Sequence, residues 1–118
     1  MKIINKTDHV IALWINNDWE TIMPTGLSAC LKYEKKDIGS KHGISFKSYT
    51  IQEVKNLPKR EKDTIIIAEY DVCQYVWKTS YREDVCCLDN PVVRNDKYQT
   101  LASMSLLCYN EILLKYCI

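Results

Sequence analysis

The sequence predicts an α+β fold, mainly β: a single small domain built on an antiparallel or mixed sheet or partial barrel, with one or two short helices packed on it. Three observations predict this. Leu27, Ala29, Leu31 and Tyr33 alternate with Ser28, Cys30 and Lys32, the period of two that marks a half-buried strand. Turn-forming clusters such as Asn16-Asn17-Asp18 and Pro24-Thr25-Gly26 cut the chain into short runs. The β-branched stretch TIIIA, Thr64 to Ala68, has the texture of a central strand covered on both faces.

Taken in order, Lys2 to Asn5 is a short strand and Val10 to Ile15 a stronger one, which the turn at 16–18 folds against Trp19 to Met23 as a hairpin. Leu27 to Glu34 is the half-buried strand already noted. The polar stretch KKDIGSKHG (35–43) is expected to be a mobile loop, followed by a strand over Ile44 to Ile51. Residues 52–58 are expected to make one helical turn that stops before Pro58, and 59–63 a solvated charged turn. After TIIIA, Val72 and Val76 fall four apart with Tyr75 and Trp77 beside them, which permits a short amphipathic helix over Glu69 to Thr79. Asp71 near its start suits the positive end of the helix dipole. Residues 80–98 mix charges, turn formers and Pro91 and are expected to be loop-rich. Tyr98 to Leu107 reads as strand, and Ile112, Leu113 and Tyr116 as a terminal helix. No repeat or linker divides the chain, so residues 1–118 are expected to be one domain.

The totals exclude several classes of function. With 118 residues the chain can bury roughly two thirds of its unfolded surface. An apolar fraction of 47% argues against disorder. A net charge of +1 supplies no electrostatic drive towards nucleic acid, which is not an expected partner. The opening residues do not form an export signal, and no apolar run reaches the roughly 18 residues that span a bilayer, so no membrane association is expected. The six cysteines contain no C-x-x-C pair, and adjacent Cys86 and Cys87 would point to opposite faces of a strand. Free, mostly buried thiols are expected, with no metal site and no cofactor.

Only three of the 16 basic residues are arginines, and two of them, Arg82 and Arg94, share the loop-rich segment. Their planar forks match carboxylate or phosphate. They either pin that segment, Arg82 to Asp84 or Glu83 and Arg94 to Asp96, or line a site for an anionic small molecule. Asn5, Thr7 and His9 occupy alternating positions, so an extended chain would turn all three to one side as the polar wall of a pocket. His9 beside Asp8 equally suits bracing a turn. The eight Tyr and three Trp are mostly core, and any that are exposed offer stacking platforms for a planar base. No nucleophile elbow, zinc helix or phosphate loop motif occurs, and no catalytic residue is assigned.

The order of these motifs resembles a family of small phage and prophage accessory proteins that open near I-N-L-T-P-H. The matching stretches are IINKTDHVIAL (3–13), PTGLSACL (24–31), Val54 to Pro58, Thr64 to Glu69, Arg82 to Asp84, and PVVRND (91–96). The likeness covers about residues 1–106 and leaves 107–118 as a C-terminal extension. Asp8 stands where that family has Pro, and Leu31-Lys32 follows Cys30 where an Arg would be expected. By position, the resemblance implies a ligand-binding site of Thr7, His9, Arg82, Asp84 and Arg94. It implies an anti-defence protein, acting in the cytoplasm of the infected host cell, that binds and sequesters a small anionic ligand derived from a nucleotide immune signal. The protein is expected to be a homo-oligomer, with a dimer foremost. Two alternatives stand beside this: a protein–protein inhibitor of a host effector, and a hydrolase of a nucleotide signal that uses His9.

Overall fold

The computed structural model describes residues 1–94 and 100–109. Its elements are β1 (Lys2–Asn5), β2 (Ile11–Ile15), β3 (Asp18–Ile22), β4 (Cys30–Lys41), β5 (Ile44–Lys55), β6 (Thr64–Ile67), α1 (Tyr70–Thr79), β7 (Val85–Arg94) and β8 (Thr100–Leu107). The fold is α+β and mainly β. β1, β6, β7, β8, β2 and β3 form one mixed sheet in that order, and β4 and β5 form a separate two-stranded ribbon.

Strand β6 is the centre. All four of its residues are buried, and it pairs in parallel with β1 on one side and β7 on the other. Ile66 packs on one face with Ile4, Ala29, Val72, Cys73, Val76, Val85 and Cys87, and Ile65 on the other with Cys86. A run of isoleucines suits this setting because each face receives an apolar side chain, worth roughly 1.5–3 kcal/mol when fully buried. The parallel step from β6 to β7 requires a crossover, and α1 provides it. Val72, Cys73 and Val76 form the helix's buried stripe, and the Trp77 ring nitrogen donates to the Val85 carbonyl at 2.8 Å.

Beyond β7 the sheet continues antiparallel to β8, then parallel to β2, then into the β2–β3 hairpin. Asn16 and Asn17 both have positive φ, the two-residue turn whose twist matches a hairpin. The chain leaving β3 meets the end of β1 through a bridge between Asn5 and Pro24, so the sheet curls nearly shut.

Three expectations need correction. Residues 35–43 are not a loop: β4 runs on to Lys41 and turns at His42-Gly43, both at positive φ, into β5. The ribbon is exposed on both faces through this stretch, so its polar sequence carries no burial pattern, and backbone pairing alone makes the strands. Residues 52–55 are not a helical turn but the end of β5. Residues 85–94 are not loop but the ten-residue strand β7. Pro91, which lacks an N–H, is tolerated there because the β7–β8 register shifts between Pro91 and Val93. The terminal helix and residues 95–98 of the segment expected to be loop-rich lie outside the described residues.

Cys86 and Cys87 do face opposite sides of β7, and both are buried as free thiols, as is Cys73. No helix among the described residues is long and apolar enough to cross a membrane.

The inequality between sheet and ribbon is testable by thermal denaturation. Ile66→Ala removes a fully buried side chain and should cost about 3 kcal/mol, lowering Tm by roughly 10 °C or more. Ile38→Ala, at a ribbon position 62% exposed, should leave Tm within a degree or so.

Candidate functional site

Two hollows flank α1. The first lies at the carboxyl ends of β1 and β6, beside the opening residues of β7; carboxyl ends of parallel strands are where open α/β sheets commonly hold ligands. It is built from the first strand outwards. Asn5 is fully buried and accepts hydrogen bonds from the Thr7 backbone N–H at 2.9 Å and the Thr7 hydroxyl at 2.6 Å. Its own amide nitrogen donates to the His9 and Ile22 carbonyls, both at 3.0 Å. The Thr7 hydroxyl also lies 3.0 Å from the His9 carbonyl. Buried polar groups matched in this way fix a local backbone shape, here the curve that carries the chain from β1 to β2. Thr7 is thus a positioning residue, and the ring it places is that of His9.

His9 Nδ1 sits 2.9 Å from Asp8 Oδ1 and 3.7 Å from Glu69 Oε1. Glu69 immediately precedes α1, and its Oε1 is buried with no hydrogen-bond partner among the described residues, although the rest of its side chain reaches solvent. Burial pushes the Glu69 carboxyl above its ordinary range; His9 opposes the shift, while Asp8 and Asp71 add to it. The cavity beside this group measures about 60 Å³ and is walled by Thr7, His9, Ala68, Tyr70, Cys87 and Leu88. That admits a water or two, or the tip of a ligand. Asp8, His9 and Glu69 present donor atoms within 4.8 Å of one another, a set that could hold a divalent ion.

The second hollow is a groove of about 280 Å³ between α1 and the ribbon, lined by Leu31, Tyr33, Tyr49, Ile51, Asp71, Gln74, Tyr75, Lys78 and Thr79. Leu31 and Val54 pack against the main core and seat the ribbon on the helix. A register shift then places Tyr33 opposite Ile51, with Tyr49 on the diagonal. The two tyrosine rings meet edge to face at 5.3 Å. Both rings remain largely exposed, and α1 contributes Tyr75 and Lys78 to the opposite wall.

The residues expected to form one site are divided by this architecture. Thr7 and His9 stand at the carboxyl end of β6. Arg82 and Asp84 stand at the other end, where β7 begins: the Asp84 carbonyl accepts from the Ile66 N–H. Arg82 Nε donates to Asp84 Oδ1 at 2.8 Å, and Nη2 donates to Asp84 Oδ2 at 2.9 Å and to the Pro58 carbonyl at 3.0 Å. Asp84 is 1% exposed. The arginine fork is consumed in neutralising a buried carboxylate, so the expected convergence of Arg82 and Asp84 with His9 is not found. The backbone of Arg94 pairs with Thr100 at the sheet end where β2 begins, just after His9. About 30 Å of strand separates it from Asp84. The Arg94 side chain lies outside the described residues.

Sequence reasoning missed Glu69 and the tyrosine groove. The signal for Glu69 was available as the charged residue directly after a buried strand, whereas the groove unites three elements that only long-range pairing brings together. Comparison with family models, curated proteins and solved structures gives no match for this chain.

Two outcomes follow from this geometry. Arg82→Ala strands the Asp84 carboxylate and should cost roughly 3 kcal/mol in chemical denaturation, while adding Asp84→Ala should restore part of that loss. Glu69→Gln removes a carboxyl that folding prefers protonated. Wild type and variant should be similarly stable below about pH 4, and the variant should become the more stable as pH rises through the raised Glu69 pKa. Tm measured across pH reads both the sign and the window.

Proposed function

We propose that the protein binds and sequesters a small nucleotide-derived ligand in the groove between α1 and the β4–β5 ribbon. The observation that carries this reading is the tyrosine-walled hollow of about 280 Å³. Its size approaches the roughly 300–1,000 Å³ of small-molecule pockets, and stacking on an aromatic ring contributes about 1–3 kcal/mol per base. Tyr33, Tyr49 and Tyr75 would hold the base, Gln74 and Asp71 would hydrogen-bond its edge or the sugar, and Lys78 would meet a phosphate. The resemblance of the sequence to phage accessory proteins makes host immune signals the first ligand class to examine. In this reading the protein works in the infected cell's cytoplasm as a homo-oligomer. Support for a second copy comes from Ile38, Ile44 and Phe46, which leave the ribbon tip apolar and exposed.

A second reading, hydrolysis of such a ligand, is favoured by one observation. His9 lies between two carboxylates at the carboxyl end of the parallel strands, an arrangement suited to general acid–base transfer.

Purified protein incubated with a panel of cyclic nucleotides and ADP-ribose derivatives, and then removed by filtration, separates the two. Sequestration predicts that one compound disappears from the filtrate and returns intact after heat denaturation. Tyr33→Ala and Tyr49→Ala should then weaken capture by tenfold or more with Tm unchanged. Recovery of an altered compound, abolished by His9→Ala, establishes hydrolysis instead. If every compound stays in the filtrate unaltered, both readings fail.

A further inference from the structure

β7 carries a thiol on each face, and the one turned away from α1 has an unusual neighbour. Cys87 pairs with Leu107 across the antiparallel β7–β8 ladder, so Cys86 and Cys108 are the next residues opposite one another. Directly opposed residues in such a ladder have Cα atoms about 4.5–5.5 Å apart. That falls inside the roughly 4.4–6.8 Å that a disulfide bridges. The two Sγ atoms stand 3.2 Å apart, a little over 1 Å beyond the ~2.05 Å of a bond. Cys73 and Cys87 also share a thiol–thiol hydrogen bond, but both are enclosed beneath α1 where a peroxide does not reach, and Cys30 lies exposed on the ribbon.

We infer that Cys86 and Cys108 form a redox site, closing to a cross-strand disulfide when a peroxide oxidises the partly exposed Cys108. The two cysteines differ in the way such a site needs. Cys86 is completely buried beside Ile65 and Leu106, whereas Cys108 reaches solvent. The Cys86 thiol hydrogen-bonds to Cys108, which holds Cys108 down to about 7 and pushes Cys86 up. Near neutral pH a substantial share of Cys108 is therefore thiolate, the nucleophilic form.

In the first step the Cys108 thiolate attacks one peroxide oxygen. The O–O bond breaks, a sulfenic acid forms, and hydroxide leaves and takes up a proton to become water. In the second step Cys86 attacks the sulfenyl sulfur, the S–O bond breaks, and the departing hydroxide carries off the Cys86 proton as a second water. One peroxide is reduced and two thiols are oxidised to one disulfide. The crosslink would tie the end of β8 to β7 one residue before Cys87, which walls the His9 cavity.

The experiment treats the folded protein with hydrogen peroxide, blocks remaining thiols with iodoacetamide, and maps tryptic peptides by mass spectrometry without reductant. The expected product joins peptide 83–94 to the peptide containing Cys108, two hydrogens lighter than their sum, and dithiothreitol separates them. Because 83–94 also contains Cys87, the Cys87→Ser variant should still crosslink while Cys86→Ser and Cys108→Ser should not. Cys108 is only partly buried, at the margin of the Ile65–Cys86 cluster, so Cys108→Ser gives an answer that does not depend on how Cys86→Ser folds. Crosslinking should also slow as pH falls below about 7. Full alkylation of Cys108 after peroxide, or a crosslink that persists in Cys108→Ser and vanishes in Cys87→Ser, overturns the assignment.

Discussion

The structure depends on one pairing: β6 held in parallel register between β1 and β7. Parallel neighbours cannot be joined by a tight turn, so placing β6 beside β7 obliges the chain to cross over, and α1 is that crossover. The helix then has two flanks. Its amino-terminal end stands over the carboxyl ends of the strands and forms the His9–Glu69 cavity; its outer side faces the ribbon and forms the tyrosine groove. Both hollows are consequences of burying four consecutive β-branched residues between two parallel neighbours.

The same pairing separates two kinds of polar chemistry. At the end where β6 and β7 begin, Arg82 and Asp84 neutralise one another in a bidentate pair, with Pro58 accepting the remaining bond. Such a pair holds irregular chain in place. At the end where β6 finishes, Asn5 and Thr7 spend their hydrogen bonds on backbone and on each other, leaving the imidazole of His9 between the Asp8 and Glu69 carboxylates, with Glu69 Oε1 buried and without a hydrogen bond among the described residues. Unsatisfied polar atoms cost stability and are commonly retained where they serve chemistry.

Much of the fold was legible in the sequence because it rests on local rules. TIIIA marked the buried strand, Asn16-Asn17 the hairpin, and the spacing of Val72 and Val76 the helix. The ribbon was not legible by the same means: where both faces meet solvent, hydrophobic periodicity vanishes, and only His42-Gly43 hinted at a two-residue turn. β7 was obscured by Pro91, whose presence in a sheet interior depends on a register shift that no local rule reveals. The site was legible in part. The alternation of Asn5, Thr7 and His9 pointed to a polar wall, and pairing of Arg82 with Asp84 was one of two open readings. What sequence could not supply was the distance between those groups, which is set by the crossover.

Residue-resolved native-state hydrogen exchange tests the primacy of β6 most directly. The Lys6, Ile66 and Ala68 amides donate to the Ile67, Asp84 and Cys86 carbonyls at 2.8, 2.9 and 2.9 Å. These protons should exchange only through global unfolding, with the same denaturant dependence as the whole molecule, while amides at ribbon positions 35–41 should exchange orders of magnitude faster. Slow ribbon amides together with locally opening β6 amides would contradict a fold organised around that strand.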